Sequence, residues 1–514
     1  MIPIWRRPIE ASRKAFIAGF LEFGFIETSP PDCATDTVYL EGQIPSGSTG
    51  LDSLPAVVIE VPPDYPFSPP QVRCANEPDR LTWHLQPGGQ LCLWHRGHHT
   101  RLEWLTSEAV AKRIQDWWAH RNESWPHDAG ALDLQYYFAK DSSLLYTCSS
   151  ASGLSGQVTI EKRGEGWYHW TRWQPRGGRD EVFKKRQLRR IFAEAVDIGM
   201  LTQPVWDWPT IAACISPNQA NRIEQEVLRR GSGFLLLRYQ RPGPEGIREG
   251  VLGVIATNEK GQMQINAVET AEDSPSVLMH RAGPDWEKMS TASVLVVGVG
   301  AVGSFVADEL ARGGIGRMTL VDADRLRPGN STRHLCGPSQ INQPKVTAVR
   351  DVLVEHTGMT LQDINVLRTQ LEPDLAFKLL PKHDIVIDAT ADYSVEWLLE
   401  KLAIDLDIPV VHVGLHRQGG LIRIDRSSRY SDANRRLDEV PAIETTDTAI
   451  REVGCMHPVS LTPPHAVHAA AAYATATVLD TLTDRWELPD SAIHVLTPQP
   501  DQPYDRVGTI IREQ

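Results

Sequence analysis

One short stretch of the sequence constrains the fold more than any other: an apolar run that leads directly into closely spaced glycines. The run Ser293–Val297 has the length of a buried parallel strand, and Gly298, Gly300 and Gly303 follow it. Glycines at this spacing let the backbone turn sharply and approach a phosphate, while unpaired N–H groups of the next helix point at negative charge. The pattern predicts a nucleotide site. By itself it leaves open a dinucleotide-binding dehydrogenase, or glycines that serve tight packing alone.

Charged residues after the next strand separate these alternatives. A second apolar segment, Met318–Val321, ends at Asp322 and Asp324, where a carboxylate can hold ribose hydroxyl groups. Two cations, Arg333 and Lys345, come soon after. An enzyme in which a carboxylate attacks ATP must neutralise charge that builds on the phosphates, whereas a dehydrogenase has no such need. The pattern therefore favours adenylation over strand-end caps and surface charges.

Together these motifs resemble the adenylation domain of ubiquitin-activating enzymes and of their ThiF and MoeB relatives. The resemblance covers about residues 286–500 and includes Asn330, in Gly-Asn-Ser-Thr-Arg, and Lys345, in Gln-Pro-Lys. It implies ATP and Mg²⁺ as cofactors, with Asp322 on the ribose and with Asn330, Arg333 and Lys345 on the phosphates. The expected nucleotide-binding residues are Gly298, Gly300, Gly303, Asp322, Asp324, Asn330, Arg333 and Lys345.

The resemblance places a magnesium ligand after the next central strand, Asp384–Ile387. In the family an aspartate follows a threonine directly there, whereas this sequence has Thr390, Ala391 and Asp392, one residue displaced. Asp392 is the expected metal ligand, and Asp388 is the alternative. The chain has no C-x-x-C pair, so the structural zinc of many relatives is expected to be absent.

Conjugation also requires a thiol that captures the acyl-adenylate, and Cys455 is the candidate. It follows the polar segment 427–451, predicted to be a mobile crossover loop, and precedes the predicted helix Ala466–Leu482. Cys336 is the rival. It lies directly behind the phosphate-binding segment, where a packing role is the simpler interpretation.

A second cysteine motif lies in the N-terminal part of the chain. The strand-like segment Ala56–Pro62 runs into a proline-rich turn, Pro63–Pro70. Further along the chain, Cys92 stands between two leucines, shortly after a Gly-Gly turn. Without context, such a cysteine is more often a small buried hydrophobic residue than a nucleophile. The sequence Tyr-Pro-Phe-x-Pro-Pro followed by Gly-x-Leu-Cys-Leu, however, resembles the ubiquitin-conjugating fold over about residues 10–125. The resemblance implies that Cys92 carries a modifier as a thioester.

The sequence departs from the ubiquitin-conjugating family ahead of this cysteine. No His-Pro-Asn triplet is present, and His84 stands at the spacing of the asparagine. His84 could donate a hydrogen bond to a developing oxyanion or act as a base toward an attacking lysine. A histidine that merely stabilises the loop is the alternative.

Patterning divides the 514 residues into three predicted domains. Residues 1–128 are expected to form an α+β ubiquitin-conjugating-like domain, residues 129–285 a mixed α/β linker domain, and residues 286–514 an α/β Rossmann-like adenylation domain of the ThiF type. The linker is predicted to contain a hairpin around Gly164–Gly166 and a basic helix over residues 180–196.

Composition narrows the classes of partner. A formal net charge of −13 disfavours nucleic acid and anionic lipid, since both require concentrated positive surface. The sequence has neither an apolar stretch of membrane-spanning length nor a recognisable secretory signal. A cytoplasmic protein is therefore expected, with no nucleic acid and no membrane among its partners.

Two thiols and an ATP site form a coherent pathway, which resembles the fused conjugating and activating enzymes of bacterial CBASS anti-phage operons. The resemblance implies a homodimer through the adenylation domain, a lysine-bearing target protein, and a partner whose C-terminus is activated: a cGAS-like nucleotidyltransferase or a ubiquitin-like protein. The alternatives are a bacterial ubiquitin-like modifier system outside CBASS, a sulfur-carrier activating enzyme that does not need Cys92, and a non-catalytic scaffold. A nicotinamide dehydrogenase is the least favoured.

Overall fold

In the computed structural model the chain divides into two units, Met1–Ser274 and Pro275–Gln514. The boundary between the units precedes residue 286, where the third domain was predicted to start. The predicted boundary at 128 lies outside the described residues, so the three-domain division stays a prediction. The residues that the structure describes are 7–28, 36–44, 56–76, 82–94, 102–120, 134–138, 140–148, 156–172, 192–243, 246–273, 275–279, 281–428, 436–441 and 460–512.

The first unit begins with a four-stranded antiparallel sheet and two helices that share its core. Phe16 and Phe20 lie one turn apart on the first helix, and both are buried with Val57 and Ile59 of the third strand. The predicted helix, strand and second helix in this region are confirmed. The elements are α1 (Arg7–Glu22), β1 (Ile26–Thr28), β2 (Val38–Gln43), β3 (Ala56–Val61), β4 (Gln71–Cys74) and α2 (Ser107–His120).

The rest of the first unit contains a closed β-barrel with the strand order β10-β11-β5-β7-β6-β8-β9. Leu235 and Leu237 enter one core with Ile223, whereas Leu236 enters a second cluster, because successive strand residues face opposite sides. The elements are β5 (Lys140–Cys148), β6 (Gly156–Gly164), β7 (Trp167–Arg172), β8 (Phe192–Met200), α3 (Trp208–Ala212), α4 (Pro217–Arg230), β9 (Ser232–Gly243), β10 (Gly246–Glu259) and β11 (Gln262–Glu272).

The barrel confirms one linker prediction and corrects another. β6 and β7 pair antiparallel around the predicted turn, so the hairpin is confirmed. The basic helix predicted over 180–196 is wrong at its end, because residues 192–196 belong to strand β8, which pairs with β9; residues 180–191 lie outside the described part. These five residues are buried in the barrel wall, where sheet pairing outweighs the helical preference of the alanines and the glutamate.

The second unit is built on an eight-stranded sheet with the order β14-β13-β12-β15-β16-β17-β18-β19. The strands are β12 (Ser293–Val297), β13 (Arg317–Val321), β14 (Ile364–Leu367), β15 (Ile385–Asp388), β16 (Val410–His416), β17 (Leu421–Ser427), β18 (Ser491–Val495) and β19 (Gly508–Ile510). The helices are α5 (Pro275–Met279), α6 (Trp286–Met289), α7 (Ala301–Arg312), α8 (Lys345–His356), α9 (Pro373–Leu379), α10 (Tyr393–Leu406) and α11 (Pro464–Leu482). The predicted α/β Rossmann-like arrangement is confirmed.

Strand β12 marks the point where the chain reverses its course across the sheet. From β12 the chain proceeds to β13 and β14 on one side, and then crosses to β15 on the other. Val297 pairs with Val321 on one neighbour and with Asp388 on the other, and all three strands are parallel. Their carboxyl ends therefore meet at one edge, where open α/β sheets leave a crevice for a ligand.

Helix α11 packs its alanine-rich sequence into the core of the second unit. Ala470, Ala471 and Ala474 are fully buried in the cluster that also contains Val306 of α7 and Val411 of β16. Small side chains let the helix approach its neighbours closely. Within the described part of the chain, neither this helix nor any other is long and apolar enough to cross a membrane.

Candidate functional site

The turn after β12 uses its glycines in two different ways. Gly298 has a positive φ of 80°, and a Cβ there would lie 2.9 Å from the backbone nitrogen of Thr390. A Cβ on Gly303 would lie 1.9 Å from the carbonyl oxygen of Gly298. These two positions therefore let the turn, α7 and the loop after β15 pack together. A Cβ on Gly300 would meet no heavy atom of the described chain within 4 Å, so the backbone there is open to a ligand.

The start of α7 presents backbone donors beside this opening. Gly300 is the N-cap residue, and no side chain caps the helix in the described structure. The first N–H groups of a helix have no partner within the helix, and they lie at the positive end of its dipole. An anion such as a phosphate group matches this environment.

Both peptide groups of Val299 are held by side chains from distant segments. Its N–H donates to Oδ2 of Asp322 at 3.0 Å, and its carbonyl oxygen lies 2.9 Å from Nε2 of His334. Nδ1 of His334 accepts from the backbone N–H of Cys336 at 3.1 Å, which assigns the proton to Nε2. Burial lowers the pKa of His334 to about 4, so the ring is neutral at neutral pH. The glycine turn is therefore fixed without a ligand.

Two carboxylates surround the lysine that is expected to bind phosphate. Nζ of Lys345 lies 2.8 Å from Oδ2 of Asp324 and 3.8 Å from Oδ2 of Asp322. The side chain of Lys345 is 13% exposed and that of Asp322 10%, whereas Asp324 is 71% exposed. Asp322 also accepts from the N–H of Asp324 at 2.8 Å. The structure thus brings together three of the predicted residues, with the lysine charge balanced by carboxylates.

Asn330 and Arg333 are held by backbone contacts. Oδ1 of Asn330 accepts from the N–H of Arg327 at 2.8 Å and so stabilises its own turn. Nη1 of Arg333 donates to the carbonyl oxygen of Ser460 at 2.7 Å and to that of Thr462 at 3.4 Å. The guanidinium therefore ties this turn to the segment that leads into α11, a contact that the sequence did not predict. Their role on the phosphates stays a prediction.

The loop after β15 separates the two candidate metal ligands. Asp388 is 4% exposed. Its Oδ1 accepts from the N–H of Thr390 at 3.0 Å and from the Thr390 hydroxyl at 2.7 Å. Its Oδ2 lies 2.9 Å from Nδ1 of His412. Asp392 is exposed and caps α10 by accepting from the N–H of Ser394 at 2.8 Å. Asp388 therefore shapes the loop, while the carboxylate of Asp392 faces solvent.

These residues fit a magnesium ion bound mainly through nucleotide phosphates. Mg²⁺ commonly takes one or two protein carboxylates and completes its shell with phosphate oxygens and water. Asp392 supplies one exposed carboxylate at the edge where β12 and β15 end. Within the described residues no group of three or more His, Cys, Asp or Glu side chains could hold a metal by itself. Asp392 as the ligand stays a prediction.

The two cysteines proposed for acyl capture differ in what the structure describes. Cys336 is fully buried in the core beneath α7, and burial raises the pKa of its thiol to about 12. A buried, protonated thiol is a poor nucleophile, so the packing interpretation of Cys336 is the better one. Cys455 and most of the predicted crossover loop lie outside the described residues, and the role of Cys455 stays a prediction.

Cys92 in the first unit lies in a hairpin-like loop. The turn Pro87–Gly89 reverses the chain so that Leu85 and Leu91 face each other as bridge partners. The N–H of Cys92 donates to the carbonyl oxygen of His84 at 2.9 Å, and the cysteine itself is half-buried. The thiol is therefore held close to the surface by a backbone hydrogen bond to the loop that precedes it.

His84 is adjacent to Cys92 through its main chain. Its carbonyl oxygen accepts from Cys92 and also from Nε1 of Trp117 at 3.0 Å. The residue is only 7% exposed. This arrangement fits a loop-stabilising residue, and the donor or base function of the imidazole stays a prediction.

Comparison with known proteins agrees with the geometry of the second unit. Residues 275–479 match the model of the ThiF family. This region is a ThiF-type domain.

Curated relatives of the ThiF-type domain carry several activities. The chain is 30% identical over 179 residues to the ATP-dependent ubiquitin transferase-like protein Cap2 of Enterobacter hormaechei. This match covers 32% of the present chain and 29% of Cap2. It is 30% identical over 140 residues to molybdopterin-synthase adenylyltransferase of Salmonella typhimurium, covering 27% and 55% respectively. The adenylyltransferase and sulfurtransferase MOCS3 of Culex quinquefasciatus is 32% identical over 150 residues, covering 29% and 34%. The matches thus span less than two thirds of each relative's length.

A solved structure of Escherichia coli MccB with ATP also matches. It covers 46% of this chain and 66% of that chain, with 16% sequence identity and a TM-score of 0.34.

Sequence reasoning missed two histidines that shape the ThiF-type domain. His334 belongs to no recognised spacing, and nothing local marks it. His412 does carry a signal, since it is a polar residue among the buried valines of strand β16. A buried polar side chain in a parallel strand requires a partner, and Asp388 on the neighbouring strand is that partner.

The glycine turn predicts that two alanine substitutions destabilise the domain to very different extents. Gly303→Ala places a methyl group against the carbonyl of Gly298, so we expect a loss of about 3 kcal/mol or more from the free energy of unfolding of the ThiF-type domain. Gly300→Ala, at a φ of −75° with open space around it, should cost less than about 1 kcal/mol. Thermal unfolding followed by calorimetry measures both. Equal midpoints for the two variants would contradict this geometry.

The neutral state of His334 predicts a pH dependence. Its native pKa of about 4 lies below the ordinary value of 6.5, so the unfolded chain binds more protons between these values and stability falls as pH falls through them. Between pH 7.5 and pH 5 the wild type should lose more of its unfolding free energy than His334→Gln does. We expect the two losses to differ by about 1–2 kcal/mol.

Three other histidines add to the same trend, so the prediction compares variants with the wild type. Burial also lowers the pKa of His383, His416 and His494. His356→Gln, at the exposed end of α8, is the control and should keep the wild-type difference between the two pH values. If both variants keep it, His334 is not the group that titrates.

Proposed function

We propose that this chain activates the C-terminal carboxylate of a partner protein with ATP and passes the acyl group through two cysteines to an amine. The observation that carries the proposal is the pre-formed glycine turn at the switch point of a ThiF-type domain, with Lys345 held beside it by Asp322 and Asp324. A positive side chain and the N–H groups of a helix start converge where phosphates would lie. This arrangement supports attack on ATP better than hydride transfer.

The proposed sequence has four bond exchanges. A carboxylate oxygen of the partner attacks the α-phosphorus of ATP, the bond to the β-phosphate breaks, and pyrophosphate leaves. The Cys455 thiolate attacks the acyl carbon and releases AMP, leaving a thioester. The Cys92 thiolate takes the acyl group and frees Cys455. A target amine, such as that of a lysine, then attacks the acyl carbon and loses a proton. The Cys92 thiolate leaves, and an amide bond joins the partner to the target.

Residues of the ThiF-type domain have distinct roles in the first exchange. The N–H groups at the start of α7 bind the phosphates, and Lys345 and Arg333 balance the charge that develops there. The amide of Asn330 donates a hydrogen bond to a phosphate oxygen. The carboxylate of Asp322 accepts from ribose hydroxyl groups. It does so through lone pairs that its hydrogen bonds to the backbone do not use. Mg²⁺, held by Asp392 and the phosphates, would supply further charge neutralisation.

The relatives and the motif at Cys92 support a proposal for the biological setting. The match to an ATP-dependent ubiquitin transferase-like protein supports a role in protein conjugation. The motif resemblance adds a cGAS-like nucleotidyltransferase as partner in anti-phage defence, a ubiquitin-conjugating-like first domain and a homodimer, and we propose these together with a cytoplasmic location. The molybdopterin-synthase and MOCS3 relatives favour a second candidate, the activation of a sulfur-carrier protein, which needs no Cys92. A modifier system outside CBASS would use the same chemistry.

Lys345 provides a direct test of the activation step. We expect Lys345→Ala to slow ATP–pyrophosphate exchange by a factor of about 100 or more, because one positive group facing the transferred phosphates is lost. The measurement uses the purified chain with co-purified partner proteins. Lys378→Ala, on the exposed surface of α9, is the matched control and should keep wild-type exchange. If the wild type catalyses no ATP–pyrophosphate exchange in the presence of any partner from its gene neighbourhood, activation is ruled out.

Serine variants separate the two candidate functions. Co-expression of Cys455→Ser or Cys92→Ser with neighbouring gene products should trap oxyesters that resist reductant, since a serine ester withstands thiols where a thioester does not. The mass of each adduct identifies the partner. Activation and sulfur transfer that are unchanged in Cys92→Ala would favour the sulfur-carrier candidate instead.

A further inference from the structure

The loop that precedes Cys92 is shared between two hydrophobic cores of the first unit. Trp83 is 3% exposed and belongs to the cluster that fills the barrel side, together with Leu134, Tyr137 and Phe138. Leu85, two residues later, belongs to the core of the four-stranded sheet. The chain therefore crosses from one core to the other at His84, whose carbonyl oxygen accepts from Cys92.

Among the contacts of the described structure, three hydrogen bonds with side-chain donors join this loop to other segments. The hydroxyl of Tyr137 donates to the carbonyl oxygen of Thr82 at 3.0 Å, and Nε1 of Trp83 donates to the carbonyl oxygen of Thr202 at 3.2 Å. Nε1 of Trp117 donates to the carbonyl oxygen of His84 at 3.0 Å. Two of the three bonds join residues 82–83 to segments that follow α2 in the chain. The conformation next to Cys92 is thus set partly from outside the four-stranded sheet.

Tyr137 contacts the loop through its ring as well as through its hydroxyl. It is 1% exposed, and its ring meets Trp83 edge-on with centroids 5.8 Å apart. Burial raises the pKa of Tyr137, with a smaller contribution from the charge of a Cys92 thiolate, so the phenol is neutral. A neutral phenol in this position acts as a hydrogen-bond donor.

From this placement we infer that Tyr137 is a positioning residue for Cys92, acting through the Thr82 carbonyl and the loop 82–84. The hydroxyl fixes Thr82, the loop fixes the His84 carbonyl, and that carbonyl fixes the backbone of Cys92. The approach of reagents to the sulfur therefore depends on a side chain from the connection to the barrel. The acyl-transfer part of the test rests on the proposed function; the thiol-reactivity part does not.

The test compares Tyr137→Phe in the full chain with Tyr168→Phe, a partly buried barrel tyrosine that stacks on Tyr146. Both changes remove one hydroxyl and keep the ring, so a role in ring packing alone predicts no effect of either. Alkylation of each cysteine by iodoacetamide is followed by peptide mass spectrometry, with Cys214, which is exposed, as the internal standard. Hydrogen exchange of the Cys92 amide and unfolding temperature are measured in parallel.

We expect Tyr137→Phe to speed Cys92 alkylation and Cys92 amide exchange about fivefold, because one hydrogen bond that holds the loop is lost. Cys214 and the Tyr168→Phe variant should stay at wild-type values. Trp83→Phe, which keeps an aromatic ring but loses the donor to Thr202, is a second variant in case Tyr137→Phe lowers the unfolding temperature, and it should show the same rise.

Acyl transfer gives a further readout. In Tyr137→Phe, the maximal rate of amide formation from Cys92 should fall about tenfold with little change in the half-saturating acceptor concentration, since orientation rather than binding is affected. Wild-type rates of alkylation, exchange and transfer in both Tyr137→Phe and Trp83→Phe would overturn the inference. Altered alkylation in a chain that never forms a thioester would uphold it while refuting the proposed function.

Discussion

The nucleotide-binding edge of the second unit depends on the fixation of one residue, Val299, through both of its peptide groups. Asp322 binds its N–H and His334 binds its carbonyl, so the turn between β12 and α7 cannot relax toward a different path. A glycine-rich turn has high backbone freedom, and freezing it carries an entropic cost of about 1–2 kcal/mol per residue. Because the fold meets that cost through buried hydrogen bonds, the site is organised before a ligand arrives.

A second buried group supports the same edge from the other side of β12. Asp388 binds both the hydroxyl and the N–H of Thr390, while His412 on the next strand contacts its other oxygen. These bonds fix the loop whose backbone touches Gly298, so the turn is confined from two directions. Removal of one partner would leave a buried polar group without its bond, which costs more than the bond itself contributes.

Local patterns in the sequence predicted much of this and failed where distant segments decide. The apolar run into Gly298, and the carboxylates after β13, follow from chain-local rules, and the structure has the strand, turn and helix as expected. The helix over 180–196 failed at its end, because residues 192–196 are drawn into a barrel by partners about 40 residues away. His334 could not be foreseen, since its role exists only once the loop folds back onto Val299.

The two candidate sites are built in the same way, which explains why sequence motifs locate them but do not reveal the residues that fix their geometry. In each, a short glycine-containing loop carries the reactive or binding group, and residues remote in sequence set its shape: Asp322 and His334 for one, Tyr137 and Trp117 for the other. A loop alone would sample many conformations. Because these anchors come from segments remote in sequence, the geometry of each site depends on the folding of the whole unit. The motif marks the site, while the surrounding structure determines what it can do.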